Sequence, residues 1–207
     1  MLDHTSKDTS MDTTRQPVLL DALMDTPNGW IKSIACVCVG SILLTLSAKF
    51  QVPFYPVPMT LQTLVVLMLG VVLGWRLGAM TVLFYLAQGA SGLPVFAGTP
   101  EKGLGLLYMA GPTGGYLMGF VVAAALTGWL AERGFDRSRL GMAAAMVGGN
   151  AVIYAMGLLW LGSFVGYNTQ LIALGMTPFV LGDLVKIALA VMTVPFVWRV
   201  VSRRAPQ

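Results

Sequence analysis

The sequence predicts an all-α integral membrane protein, a six-helix transmembrane bundle. Of its 207 residues, 56% are hydrophobic and 11% are charged, whereas about a quarter of the residues of a soluble domain are charged. Residues 103–131 and 140–182 contain no charged side chain, and each stretch exceeds the ~20 residues of a spanning helix. The apolar runs lack the alternation of polar and apolar residues that marks a membrane β-barrel. Helices therefore explain the pattern better than strands.

Six apolar segments, interrupted by Gly, Pro and charged residues, are the predicted membrane helices. They comprise residues 31–48, 60–73, 77–88, 114–131, 140–159 and 179–201. The second and third segments are short, and the turn Gly74-Trp75-Arg76 joins them, so we expect both to be tilted or only partly embedded. Small residues recur every four positions in the fourth and fifth segments, which favours close packing of those helices.

These segments define the expected domains. Residues 1–29 contain no apolar segment like that of a cleavable signal peptide, and we expect them to form a mobile cytoplasmic tail. Residues 30–202 are the predicted membrane domain, and residues 203–207 are a short cytoplasmic tail.

Basic residues predict the orientation. In a six-helix alternation most of them fall on one side of the membrane, which is cytoplasmic by the positive-inside rule. That side carries Lys32, Arg76, Arg133, Arg137, Arg139, Arg199, Arg203 and Arg204, and the other carries Lys49 and Lys102. Both termini are therefore expected in the cytoplasm, with the protein in the cytoplasmic (inner) membrane of a prokaryote. The basic residues lie at helix ends and do not form the aromatic-rich basic face of a nucleic-acid-binding protein. We therefore expect the protein to contact the lipid bilayer and not a nucleic acid.

Three connections then lie on the outer side, at residues 49–59, 89–113 and 161–178. All three are apolar for solvated loops, and prolines and glycines keep the first two extended or turned. We expect these loops to fold over the bundle and cap a ligand pocket near the outer surface.

Enzyme motifs are absent from the sequence. There is no phosphate-binding loop of the G-x-x-x-x-G-K-[ST] type, no H-E-x-x-H and no G-x-S-x-G, and the one histidine, His4, lies in the polar tail. Cys36 and Cys38 form a lone C-x-C, which supports neither a zinc site nor a disulfide. We therefore expect no catalysis, no metal and no cofactor, and any ATP-driven task needs a separate subunit.

Asp183 and Lys186 are the main candidates for a binding site. They lie three residues apart in an apolar helix, so they share one face. Ionisable residues at membrane depth are costly and usually paired or functional. Together they offer a hydrogen-bond acceptor and a donor to a ligand, while an intrahelical ion pair near the outer interface is the structural alternative.

Further polar candidates lie near the same outer side. Thr60 and Gln62 begin the second helix, and Asn150 and Tyr154 lie four residues apart in the fifth, where helix-to-helix hydrogen bonding is an equal alternative. Phe96, with Phe54, Tyr55 and Tyr108, is a candidate to wall an apolar ligand, and interfacial anchoring is the alternative.

The segment GPTGGY at residues 111–116 opens the fourth helix and contributes Thr113 and Tyr116 to the candidate site. Its glycines leave backbone N–H groups approachable at a helix start, where an anion is favoured. A glycine-lined packing turn is the alternative reading of the same residues.

Four motifs carry a resemblance to a known family. They are PVPMTLQTL at 56–64, GLPVFAG at 92–98, GPTGGYLMGF at 111–120 and PFVLGDLVK at 178–186. In this order they resemble the BioY family of biotin transporters, the substrate-binding S components of energy-coupling-factor systems. The resemblance implies six membrane helices, cytoplasmic termini and a biotin pocket under the outer loops. It also implies a transmembrane coupling subunit and ATPase subunits as partners.

The resemblance assigns roles to individual residues. In the family the aspartate and lysine of the GDLVK-like motif contact biotin, and these match Asp183 and Lys186. The ureido ring of biotin has two N–H donors and one carbonyl acceptor, so the pair can serve both. For the biotin carboxylate, Lys102 and the helix start at 111–116 are our candidates.

One departure affects the partners. Related S components often carry an Ala-x-x-x-Ala row on the first helix, whereas here Ala35 is followed by Val39, and the nearest small pair is Cys36 with Gly40. Solitary or oligomeric action therefore stays open. The alternative functions are an S component for another vitamin and a non-transporting membrane assembly subunit.

Overall fold

The computed structural model describes residues 16–23, 29–52, 55–101 and 103–204. Helices make up most of these residues. They are α1 (Leu19–Leu23), α2 (Gly29–Lys49), α3 (Gln62–Ala90), α4 (Gly105–Met109), α5 (Gly114–Ala131), a 3-10 helix (Phe135–Arg137), α6 (Arg139–Val165), α7 (Thr169–Gly175) and α8 (Thr177–Arg204). The strands β1 (Gln51–Val52) and β2 (Met59–Thr60) form an antiparallel pair, with Gln51 opposite Thr60.

Five of the described helices are long and apolar enough to cross a membrane. The candidate spans are Trp30–Lys49, Gln62–Ala90, Gly114–Ala131, Arg139–Val165 and Thr177–Val201. The prediction of an all-α, multi-pass membrane protein is confirmed to this extent. The predicted fifth segment ended at residue 159, whereas α6 continues to Val165, because its next residues are also uncharged and mostly apolar.

The second and third predicted helices form the two halves of α3, which begins at Gln62 and not at residue 60, because Thr60 pairs with Gln51 in the β1–β2 ladder. Gly74 inside α3 has φ 80° and ψ 174°, a conformation outside the helical region. The Nε2 of Gln62 lies 2.8 Å from the hydroxyl of Tyr85, although a straight helix would separate these residues by about 35 Å. The chain therefore reverses at Gly74, within the turn predicted at 74–76, and the two halves of α3 lie side by side.

Small residues let the helices approach closely. A Cβ on Gly70 would lie 2.3 Å from the carbonyl oxygen of Ala124 in α5, and a Cβ on Gly119 would lie 3.1 Å from the Cα of Ile153 in α6. Helix α5 thus packs between α3 and α6. Gly119 belongs to the row of small residues predicted to pack in the fourth segment, whereas Gly70 was not singled out from the sequence.

The expectation of a mobile tail over residues 1–29 is wrong for residues 16–23 and for Gly29, which begins α2. Val18 and Leu19 are each 3% exposed, and α1 contacts α3 and α8. The backbone N–H of Gln16 donates to the carbonyl of Glu132 at 2.8 Å. Three consecutive apolar residues, at 18–20, supply the buried surface that holds this segment on the bundle. The rest of the predicted tail lies outside the described residues.

The small pair on the first helix faces inward. Gly40 is buried, and a Cβ there would lie 2.5 Å from the Cγ2 of Thr81. Cys36 and Gly40 therefore do not form an exterior row of small residues. The outward face of α2 instead carries larger apolar side chains, among them Ile34, Val39 and Ile42.

The connection between α3 and α4 folds over the bundle, as the sequence predicted for residues 89–113. Lys49, at the end of α2, anchors it. The Nζ of Lys49 lies 2.7 Å from the carbonyl oxygen of Pro94, 3.1 Å from that of Phe96 and 3.3 Å from that of Thr99, and it also lies 3.1 Å from the Thr99 hydroxyl. One ammonium group thus replaces the backbone partners that this irregular segment lacks.

Candidate functional site

The structure pairs Asp183 with Lys186 one turn apart on α8. The Nζ of Lys186 lies 2.9 Å from the Oδ1 of Asp183. Asp183 is 4% exposed and Lys186 is 7% exposed, so both charges are almost fully removed from solvent. A buried charge that is left without a partner is strongly destabilising, which makes the surrounding hydrogen bonds decisive.

Lys186 has three acceptors. Besides Asp183, its Nζ donates to the backbone carbonyl of Thr60 and to the Oγ1 of Thr63, both at 2.8 Å. An ammonium group has three N–H bonds, so all of them are used in this structure. A ligand carbonyl that binds Lys186 must therefore take the place of one of these acceptors.

Asp183 accepts hydrogen bonds from three side chains. Its Oδ1 accepts from Lys186 and, at 3.1 Å, from the hydroxyl of Thr63. Its Oδ2 accepts a short hydrogen bond from the hydroxyl of Tyr154 in α6. A carboxylate offers about four lone-pair positions, so one position on Oδ2 is open to an N–H group of a ligand.

The pair borders a cavity of about 60 Å³. On this measure one water needs about 10–15 Å³, so the cavity has room for several. Its lining comprises Val57, Pro58, Thr60, Gln62, Thr63, Ala97, Tyr108, Thr113, Tyr116, Leu117, Phe120, Ile153, Tyr154, Phe179, Asp183 and Lys186. Five helices, α3, α4, α5, α6 and α8, supply most of these residues. Val57, Pro58 and Ala97 come from the connections that were expected to cap the pocket.

Seven of the ten predicted site residues line this cavity. They are Thr60, Gln62, Thr113, Tyr116, Tyr154, Asp183 and Lys186. Thr60 contributes its backbone carbonyl to Lys186, while its hydroxyl accepts from the backbone N–H of Gln62 at 3.2 Å. Tyr116 donates to the carbonyl of Gly175 at 2.8 Å, which ties α5 to α7 beside the cavity.

Phe96 does not line the cavity that the described residues form, and contact between its ring and a ligand stays a prediction. Its ring stacks on Tyr108 with centroids 4.9 Å apart and meets Tyr85 edge-on at 5.5 Å. Tyr108 covers the Phe96 ring and itself lines the cavity. Gly89 leaves the space for this ring, because a Cβ there would lie 1.9 Å from the Phe96 Cζ.

Asn150 is also outside the cavity lining formed by the described residues. It lies one helical turn from Tyr154 along α6 and is 6% exposed, and its Oδ1 has no hydrogen-bond partner in the described part of the chain. Tyr154 donates to Asp183 on α8, which is a helix-to-helix hydrogen bond of the kind given as the alternative to ligand contact for these two residues. Lys102, the remaining candidate, lies outside the described residues.

Burial raises the pKa of the Tyr108 hydroxyl above its ordinary value, although a hydrogen bond with the Thr113 side chain acts in the opposite direction. The group therefore remains protonated at neutral pH. Beside the start of α5, it can donate to an anion or accept from an N–H group. No group of three His, Cys, Asp or Glu side chains among the described residues is arranged to hold a metal ion.

The sequence model of the BioY family matches residues 13–203 of this chain. That range includes every described element of the fold and the complete cavity lining. The chain belongs to the BioY family. The four motifs that carried the resemblance all lie within the matched range.

Two relatives show how far the likeness to BioY proteins extends. The probable biotin transporter BioY of Pyrococcus horikoshii is 38% identical over 161 residues, which cover 78% of this chain and 93% of that protein. The biotin transporter BioY of Thermotoga maritima is 40% identical over 154 residues, covering 74% of this chain and 88% of its own length.

A solved structure gives the same result for the fold. The crystal structure of the S-component for biotin from an ECF-type ABC transporter superimposes with a TM-score of 0.71 at 25% identity. It covers 85% of this chain and 95% of the solved one. This chain therefore has the fold of that S-component for biotin.

Two residues that line the cavity, and one that anchors the connection above it, were not singled out from the sequence. Thr63 bridges Asp183 and Lys186. It could have been predicted from the sequence, because it follows Thr60, a predicted site residue, by three positions at a helix start. Tyr108 was grouped only with general loop aromatics, since nothing local distinguishes it. Lys49 was counted as a topology charge, because its contacts with residues 94–99 join segments far apart in the sequence.

Proposed function

We propose that this protein binds biotin and takes it up as the substrate-binding S component of an ECF-type transporter. The observation that carries the proposal is the buried pair Asp183 and Lys186 at the wall of the cavity. Family membership and the names of the relatives, which are biotin transporters, support the same substrate. It acts as a transporter subunit and not as an enzyme.

The groups at the cavity match the ureido ring of biotin. One ureido N–H donates to the open lone pair on the Oδ2 of Asp183, and the ureido carbonyl accepts from Lys186 in place of the Thr60 carbonyl or the Thr63 hydroxyl. The apolar wall formed by Leu117, Phe120 and Ile153 suits the sulfur-containing ring.

The biotin carboxylate requires a different part of the site. We propose that it lies toward the start of α5, where backbone N–H groups and the hydroxyls of Thr113 and Tyr108 are available beside the cavity. Lys102 remains the candidate cation, proposed from the sequence alone.

For the topology, we propose six membrane helices, with residues 62–73 and 75–90 of α3 as the second and third. The reversal at Gly74 and the contact between the two halves of α3 support this count. The excess of basic residues on one side supports cytoplasmic termini. The membrane domain then covers residues 30–202, in the cytoplasmic membrane of a prokaryote.

For the partners, we propose a transmembrane coupling subunit and ATPase subunits, because the chain contains no phosphate-binding loop of its own. The exterior of α2 presents Ile34, Val39 and Ile42 rather than a row of small residues. Docking through α2 therefore relies on larger apolar side chains, and self-association through the same face is the competing arrangement.

The direct test is equilibrium binding of biotin to purified protein in detergent. We expect Asp183→Asn and Lys186→Ala each to weaken binding by more than about tenfold, because a charge-assisted hydrogen bond contributes about 1.5–3 kcal/mol. Asp136→Asn is the matched control, since Asp136 is a buried carboxylate in the connection between α5 and α6, away from the cavity.

Two outcomes would contradict the proposal. If a well-folded protein bound no biotin, the substrate would be another compound, and related heterocycles with adjacent N–H and C=O groups would be tested next. If biotin bound equally well to the wild-type protein and to Asp183→Asn, the pair would be an ion pair of the fold alone.

A further inference from the structure

A second concave surface lies near the C-terminal end of α5. It is a groove of about 340 Å³, lined by Val122, Ala125, Leu126 and Trp129 of α5 and by Trp75 of α3. Thirteen residues separate Tyr116, at the cavity, from Trp129, which corresponds to about 20 Å along the helix axis. The groove is therefore separate from the candidate biotin site.

The groove is built by tight backbone packing. A Cβ on Gly128 would lie 2.4 Å from the backbone N of Trp75, so α5 rests directly against the reversal of α3. The same N–H of Trp75 donates to the Oε1 of Glu132 at 3.1 Å. These contacts fix the backbone that holds Trp75 in place beside Trp129.

An arginine lies over each tryptophan of the groove. The Cζ of Arg76 is 5.1 Å from the centroid of the Trp75 ring, and the Cζ of Arg133 is 3.4 Å from that of Trp129. Both arginines are exposed. A guanidinium stacked on a ring keeps N–H groups at its edge for a phosphate, while its orientation is restricted by the stacking.

Glu132, the acidic residue nearest in sequence to Arg133, does not cover the two arginines. Glu132 is 5% exposed and accepts from the backbone of Trp75, so its charge lies beneath the packed helices. The groove therefore combines an apolar floor with two accessible guanidinium groups at one end. This is the arrangement of an acyl chain and a phosphate in a phospholipid.

We propose that this groove binds one anionic phospholipid, with an acyl chain along residues 122–129 of α5 and the phosphate between Arg76 and Arg133. A zwitterionic lipid gains less from the same two arginines, because its own cation lies beside its phosphate. Free phosphate gains nothing from the apolar floor. The proposal does not depend on the identity of the transported substrate.

The test is lipid retention by the detergent-solubilised protein, measured by native mass spectrometry. Phosphatidylglycerol is compared with phosphatidylcholine of identical acyl chains. We expect the protein to retain phosphatidylglycerol more strongly, and Arg76→Gln and Arg133→Gln each to reduce that retention by about fivefold, with a reduction of about 30-fold for the double variant. Arg139→Gln is the matched control, because Arg139 is an exposed arginine at the start of α6 and is not one of the two arginines that stack on the tryptophans of the groove.

Two further arms separate the head group from the chain. Ala125→Phe fills the groove and leaves both arginines in place, so we expect it to lower phosphatidylglycerol retention as well. Inorganic phosphate at millimolar concentration should fail to displace the lipid. Equal retention of the two lipids, an unchanged double variant, or displacement by inorganic phosphate alone would overturn the proposal. Unchanged elution of each variant in size-exclusion chromatography serves as the folding control.

Discussion

At the scale of single residues, Thr63 is the link that holds the charged pair in place. Its hydroxyl donates to Asp183 and accepts from Lys186, so this one oxygen links α3 to both charged residues of α8. Asp183 and Lys186 were identified from sequence because two charges in an apolar run stand out. Thr63 was not, because hydroxyl-bearing residues are common in membrane helices and only the fold shows which ones meet a charge.

We expect Thr63→Val to destabilise the protein by about 1–3 kcal/mol and to weaken biotin binding, because Lys186 then keeps a buried N–H without an acceptor. Thr63→Ser should restore most of both properties. Thr193→Val is the matched control, since the hydroxyl of Thr193 bonds only to carbonyls of its own helix. Thermal unfolding and calorimetric titration with biotin measure the two effects, and a Thr63→Val protein equal to the Thr193→Val protein would contradict the assigned role.

At the scale of elements, the reversal inside α3 brings the site together. It places Gln62 beside Tyr85, whose hydroxyl donates to the carbonyl of Val95 at 3.0 Å. The sequence predicted the break, because two short apolar segments flank Gly74, Trp75 and Arg76. It did not predict the attachment of residues 16–23, because a short apolar run in a polar tail has no periodic pattern.

We expect Gly128→Ala to destabilise the protein by about 1–3 kcal/mol, because the new methyl group meets backbone atoms of Trp75 that cannot move aside. Gly148→Ala in α6 is the matched control, because its Cβ would find only the Cδ2 of Leu126, at 3.9 Å. Alanine is a better helix former than glycine by up to about 1 kcal/mol, so this control should be neutral or stabilising. Thermal unfolding in one detergent compares the two, and equal melting temperatures would contradict the close packing described here.

At the scale of the whole molecule, Lys49 anchors the segment at residues 94–99, which contributes Ala97 to the cavity lining. Four oxygen atoms between Pro94 and Thr99 surround its ammonium group. The sequence indicated that residues 89–113 would cap the bundle, since they are apolar and rich in glycine and proline. The anchor itself could not be predicted, because contacts between such distant residues are determined by the complete fold.

We expect Lys49→Met to accelerate the dissociation of biotin by about tenfold, because the segment over the cavity loses its charge-assisted bonds while methionine preserves the length of the stem. Lys32→Met, at the other end of α2, is the control. Stopped-flow displacement of a fluorescent biotin derivative measures the dissociation rate. Equal rates for the two variants would show that the anchor does not govern release.

The pairing of Asp183 with Lys186 also has an electrical consequence. Because the two charges cancel, the pair itself contributes no net charge to a site that is moved through the membrane potential. Biotin adds the charge of its carboxylate, and moving one elementary charge through the potential changes the free energy by about 2.3 kcal/mol per 100 mV. Inside-negative voltage therefore opposes the inward step of a site whose ligand carboxylate is held by backbone N–H groups, and does not oppose that step where Lys102 neutralises the carboxylate.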